Sequence, residues 1–136
     1  MKKVRIKTWI VMLLLLPTVC MAQVLNCKAI EASIGYYNAS TQKDVYTQTN
    51  EVTIPISFDN DNNKIHVMSE ADKVYSTYSW EKTVANSKVT TYVIEALDNK
   101  GVYAVITLIF SEDNGYYHQM IIRYPDYILR YYFEVM

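Results

Sequence analysis

Cysteine, glycine and proline are all scarce: the 136 residues hold 2 Cys, 3 Gly and 3 Pro. So little Gly and Pro excludes a collagen-like or low-complexity chain. Cys20 falls in a segment expected to be removed, which leaves Cys27 alone and rules out an internal disulfide, so the domain must stand on its core. Only His66 and His118 supply imidazole, and neither lies at a spacing that metal binding requires. A phosphate-cradling Gly loop, a Ser or Cys nucleophile motif and an internal repeat are all missing, and no segment after the leader carries a helical period. No cofactor and no metal are expected.

The one long apolar run is at the start. Lys2, Lys3, Arg5 and Lys7, with no acid among them, precede a stretch running from Trp9 through Leu16 to Pro17. That apolar run, about a dozen residues, is too short for the ~30 Å hydrocarbon core of a bilayer and has the form of a secretory signal. Cys20 and Ala22 place small side chains at −3 and −1 of a cut before Gln23. Val19 before Cys20 and Asn26 before Cys27 do not suit a lipoprotein signal. The expectation is a signal peptide over 1–22 and a single domain over 23–136, in the periplasm or outside the cell, with no membrane span after cleavage.

Cleavage removes four basic residues and no acidic ones, leaving 9 Lys and Arg against 14 Asp and Glu, a net charge of −5. That balance excludes nucleic acid as a partner and disfavours an anionic membrane. A chain of this length can bury about two-thirds of the surface it exposes when unfolded. Its unusual feature is 13 Tyr, a residue suited to half-buried strands.

Val52, Ile54, Ile56 and Phe58 alternate with Glu51, Thr53, Pro55 and Ser57, which predicts a strand with one wet face; Pro55 marks it as an edge or a bulge. A turn over Asp59–Asn63 leads to a short strand with Ile65 and Val67. This acidic turn lacks the Gly and the distal Glu of a calcium loop. Further strands are predicted at 74–80, 88–97, 102–111, 116–124 and 127–135, with a weaker one at 28–37. Asp98 to Gly101 and Glu112 to Gly115 have the chemistry of type I turns with a glycine bulge, and Tyr124 to Tyr127 that of a tighter reversal. Carried through, these turns set Ile94 against Val105, Val105 against Ile122, and Ile122 against Leu129.

On that register the core face collects Tyr92, Ile94, Ala96, Tyr103, Val105, Ile109, His118, Met120, Ile122, Tyr124, Tyr127, Leu129, Tyr131 and Phe133. The other face carries Glu95, Gln119, Arg123, Arg130 and Glu134 around an apolar patch of Val93, Ile106, Leu108, Phe110 and Ile121, with Glu95 and Arg123 on either side of Ala104. Seven to eight sequential strands without a helix predict an all-β antiparallel meander closing into a small barrel or half-open barrel, with a two-sheet sandwich as the alternative.

Two kinds of binding surface follow. Trp80, Tyr92, Tyr103, His118, Tyr124 and Tyr131 would line the interior of a calycin-like barrel holding a small apolar or aromatic ligand. Val93, Ile106, Leu108, Phe110 and Ile121 would instead form an interface for an envelope protein, as in an interaction or inhibitor module, unless residues 23–50 cover them. An enzyme is the third reading, and it requires His118 or His66 to meet a carboxylate in a cleft.

The export signal ending in Met21, Ala22 and Gln23, the Tyr-rich β-meander and the Asp98 to Gly101 hairpin together resemble small secreted β-rich proteins of Bacteroidetes-type bacteria. The resemblance implies an envelope location and carries over no site residue.

Overall fold

A computed structural model describes residues 24–86, 88–112 and 117–136. The signal segment 1–22 with its cut at Gln23, and the Asp113 to Gly115 part of the second turn, lie outside the described residues. Eight strands follow one another: β1 Val24–Asn38, β2 Lys43–Asp59, β3 Lys64–Val67, β4 Lys73–Asn86, β5 Val89–Leu97, β6 Tyr103–Ser111, β7 His118–Arg123 and β8 Ile128–Val135. Each pairs antiparallel with the next, and β8 pairs back onto β1, so the meander closes into a barrel. Closure removes the exposed sheet edges wherever strands overlap.

The interior is apolar. Ile56, Phe58, Ile65, Val67, Tyr75, Ile94, Ile106, Met120, Ile122 and Phe133 are buried within it, while Glu95, Gln119, Arg123 and Arg130 point outward at half-exposed positions.

The observed register corrects one strand. Leu97 faces Tyr103, so Ile94 faces Ile106 and not Val105. Asp98 donates its N–H to Val102 O and accepts from Gly101 N–H, and Gly101 has φ +79°. The turn is the expected one, but the bulge glycine is an extra, unpaired residue, so Asp98 sits opposite Val102. Across the second turn Val105 faces Arg123, and Ile106 faces Ile122. That is again a displacement of one residue, so the two shifts cancel. Strands β5, β7 and β8 keep the predicted faces, Ile122 meets Leu129 as expected, and β6 alone is inverted. Ala104, Ile106, Leu108 and Phe110 point in; Tyr103, Val105 and Ile109 point out.

A paired substitution tests the inversion. Ile106→Gln buries an amide at a fully enclosed site and should cost about 4 kcal/mol, whereas Val105→Gln on the outer face should cost about 1 kcal/mol or less, both read by urea unfolding.

The first two strands are longer than their apolar pattern indicates. β2 pairs with β3 only over Ile56–Asp59, and Pro55 lies just beyond that ladder, its carbonyl accepting from Met68 N–H at 2.9 Å. The missing N–H of Pro55 therefore falls where no ladder bond is required. The rest of β2 forms an arm with β1, and register shifts at Ala29/Glu31 and Ile34/Gly35 leave extra residues on the β2 side. Bulges of this kind bend a strand and increase its twist. The arm curls over the outer face of β7 and β8. Asp44 makes a two-pronged ion pair with Arg123, with Nη1 2.8 Å from Oδ1, and the Arg130 guanidinium lies 3.7 Å from the centroid of the Tyr46 ring. Arg123 thus pairs with Asp44, not with Glu95. Glu95 and Arg123 flank Val105, because the inversion of β6 moves Ala104 inside.

Candidate functional site

Five of the six residues expected to line a ligand site point into the barrel, in two groups. The sixth, Tyr103, is 42% exposed on the outer face, a direct result of the β6 inversion.

Trp80, Tyr92 and His118 gather at the end of the barrel where β5 and β7 begin. Their rings run in a chain: Trp80 meets Tyr92 edge-on at 6.1 Å, Tyr92 meets Phe110 at 6.0 Å, and Phe110 meets His118 at 5.1 Å and Phe133 at 5.9 Å. Edge-to-face packing of this kind suits the ring quadrupoles and adds to the area each ring buries. His118 Nδ1 accepts the Ser111 N–H at 3.2 Å, which fixes the ring from the neighbouring strand. Two hydroxyls on β5 have no such partner: Thr90 Oγ1 and Tyr92 Oη are buried and make no hydrogen bond among the described residues. Burial pushes the Tyr92 phenol above its usual range. Beyond Thr77, β4 outruns β3, so Trp80 is only partly buried, with its indole N–H donated to Thr77 Oγ1 at 3.0 Å.

Tyr124 and Tyr131 lie toward the opposite end, with Tyr75. A carboxylate only accepts, so Tyr124 gives its hydrogen to Asp98 Oδ2 at 2.9 Å and takes one from Tyr75 at 2.9 Å. Asp98 Oδ1 also accepts the N–H groups of Lys100 and Val102. Burial and the shared hydrogen bond hold Tyr75 well above the usual phenol range, and burial does the same to Tyr124. For Asp98, burial acts upward but is outweighed by the hydrogen bonds from Val102, Tyr124 and Lys100 and by the charge of Lys73, so its carboxyl is held below the usual range. Tyr127 stacks on Tyr124 at 4.7 Å. These groups satisfy one another and form a plug tied to the β5–β6 turn.

The expected interface patch is not a surface. Ile106, Leu108 and Phe110 are buried inside the barrel, and only Val93 and Ile121 face outward, half-exposed. The inversion of β6 exchanges the buried three for Val105, Thr107 and Ile109.

His66 does meet a carboxylate, with Nε2 2.8 Å from Asp72 Oδ1, and Ser57 lies opposite His66 across the β2–β3 ladder. Asp72 is exposed and His66 one-third exposed. Solvent screens such a pair, and an exposed ion pair of this kind contributes at most about 1 kcal/mol. Among the described residues no group of three or more His, Cys, Asp or Glu is placed to hold a metal. Cys27 is buried between strands, and desolvation pushes its thiol up to about 12, which makes it a packed side chain and not a nucleophile.

Sequence reasoning missed the chain from Tyr75 through Tyr124 to Asp98, Thr90 as an interior hydroxyl, and Asp72 as the partner of His66. Asp98 carried a signal, since its turn chemistry was legible. Comparison of the chain with models of protein families, with curated proteins and with solved structures finds no match in any of the three.

Proposed function

We propose that this chain is a non-enzymatic exported barrel that binds one small apolar or aromatic ligand in the half of its interior lined by Trp80, Tyr92 and His118. The observation that carries the reading is the pair of buried hydroxyls, Thr90 Oγ1 and Tyr92 Oη, unpartnered among the described residues and carried by successive inward positions of β5. A buried hydroxyl without a partner costs about 1–3 kcal/mol, and a bound molecule carrying one polar group between aromatic walls relieves that cost. An eight-stranded barrel is wide enough for its own side chains or one small ligand, and the partly buried Trp80 marks the side from which a ligand enters. The interface reading loses support because its central residues are internal.

The test is a native mass spectrum of residues 23–136 purified from a bacterial periplasm. Wild-type protein should carry an extra mass on the order of a few hundred daltons, the scale of a ligand for a small barrel, and shed it on collisional activation. Tyr92→Phe should lose that mass, yet the empty variant should melt no lower than wild type stripped of its ligand, because an unsatisfied hydroxyl has been deleted. A bare wild-type spectrum, or a Tyr92→Phe variant that retains the extra mass, would overturn the proposal.

A further inference from the structure

Two aromatic side chains, Tyr78 and Tyr103, flank Glu95 on the outer face of β4, β5 and β6. Tyr78 sits at a register shift between Thr77 and Ser79, where a bulge re-aims a side chain, and it is 59% exposed. Tyr103 opens β6 directly after the Gly101 turn and is 42% exposed. Glu95 lies between them, pairing with Ser79 on one side and Val105 on the other. Tyr103 donates its hydroxyl to Glu95 Oε1 at 2.7 Å, and both phenols feel the Glu95 charge.

The next row of the sheet runs Lys64, Ser76, Leu97, Tyr103, with Lys64 Nζ donating to Ser76 Oγ at 2.7 Å. Two electron-rich rings thus stand in water beside an acceptor, a hydroxyl and an ammonium donor. An organic cation would be drawn to the rings and Glu95 but would meet Lys64, and an anion would meet Glu95. A neutral polyol meets neither conflict: its C–H face stacks on tyrosine rings while its hydroxyls donate to the carboxylate and accept from the ammonium.

We infer that Tyr78, Glu95 and Tyr103 form a second, surface site that binds neutral carbohydrate, independent of any ligand in the barrel. The test is affinity electrophoresis of residues 23–136 in native gels cast with xylan, glucomannan, starch or a β-1,3-glucan, against a gel without polysaccharide. Wild type should be retarded in at least one of them. Tyr78→Ala and Tyr103→Ala should each weaken the apparent affinity by about tenfold, the scale of one lost ring contact, and Glu95→Gln should weaken it less. Tyr37→Ala removes an exposed ring outside this site and should leave the retardation unchanged. A match between the melting temperatures of the variants and wild type shows that each is folded. Unretarded wild type in every gel overturns the proposal, as does retardation that survives both tyrosine substitutions. Neither result bears on the interior ligand, which is read by mass.

Discussion

Asp98→Ala is expected to cost about 4 kcal/mol of folding stability, a loss typical of removing one partner from a buried charged network. Three hydrogen bonds end on this carboxylate, from Lys100 N–H, Val102 N–H and Tyr124 Oη, and bonds to a charged acceptor contribute about 1.5–3 kcal/mol each before the losses overlap. Alanine leaves two turn amides and a buried phenol unsatisfied together. Tyr124→Phe removes one of these bonds together with the acceptor of the buried Tyr75 hydroxyl, and should cost about 2 kcal/mol. Asp98→Asn keeps an acceptor for the turn but loses the charge, and should fall between the two. The pH dependence follows from the depressed carboxyl. A carboxylate whose pKa is lowered by folding stabilises the native state above its unfolded value of about 3.9, and the contribution disappears as pH falls through the lower folded value. Urea unfolding should therefore show a gap between wild type and Asp98→Asn that is full at neutral pH and narrows below about pH 4. A gap of constant size would mean that the charge of Asp98 contributes nothing. Asp44, depressed by its hydrogen bonds to Arg123, acts in the same acid window in both proteins and cancels in the difference.

Strand composition and turn chemistry made most of the fold legible, because alternation at β2, β5, β7 and β8 has a period of two and each turn has a recognisable residue at a fixed place. What failed was counting. A glycine bulge adds a residue that no side-chain pattern announces, and in β6 both phases of the alternation are plausible: Val105, Thr107 and Ile109 are as strand-like as Ile106, Leu108 and Phe110. A slip of one residue flips every side chain of a strand. Here it exchanged an imagined interface for part of the core and moved Tyr103 from the interior to the surface. The arm was illegible for a different reason. Residues 43–50 are exposed or half-exposed on both faces, so they carry no alternation for a reader to find. The candidate interior site was half legible: Trp80, Tyr92 and His118 come together at one end of the barrel, but Thr90 reads as an ordinary strand residue, and its unpartnered hydroxyl is visible only once its neighbours are known. The same holds for Tyr78, whose outward aim comes from a bulge and not from its place in an alternating run.

Gly35→Ala should cost about 3 kcal/mol, the upper range for forcing extra atoms into a packed site, and should detach the arm before it disturbs the barrel. A Cβ at Gly35 would run into Val45 O and lie 2.9 Å from Tyr46 Cα. Both are backbone atoms, so no rotamer change relieves the clash, and the two strands must separate where they cross. Separation there pulls Tyr46 off Arg130 and Asp44 off Arg123. The Arg130 guanidinium has few alternatives, since its Nε is already buried without a partner among the described residues and Nη2 reaches Ser33 Oγ only at 3.4 Å. Asp44→Ala, by contrast, breaks a half-exposed ion pair without moving backbone and should cost about 1 kcal/mol. Amide hydrogen exchange distinguishes the two effects. In Gly35→Ala, protection should fall across 36–38 and 43–46 while the ladders of β5, β6 and β7 keep theirs, and in Asp44→Ala the loss should be confined to the arm tip. Uniform loss of protection across the barrel would show instead that the arm and the barrel unfold as one cooperative unit, with Gly35 at a joint on which closure of β8 onto β1 depends.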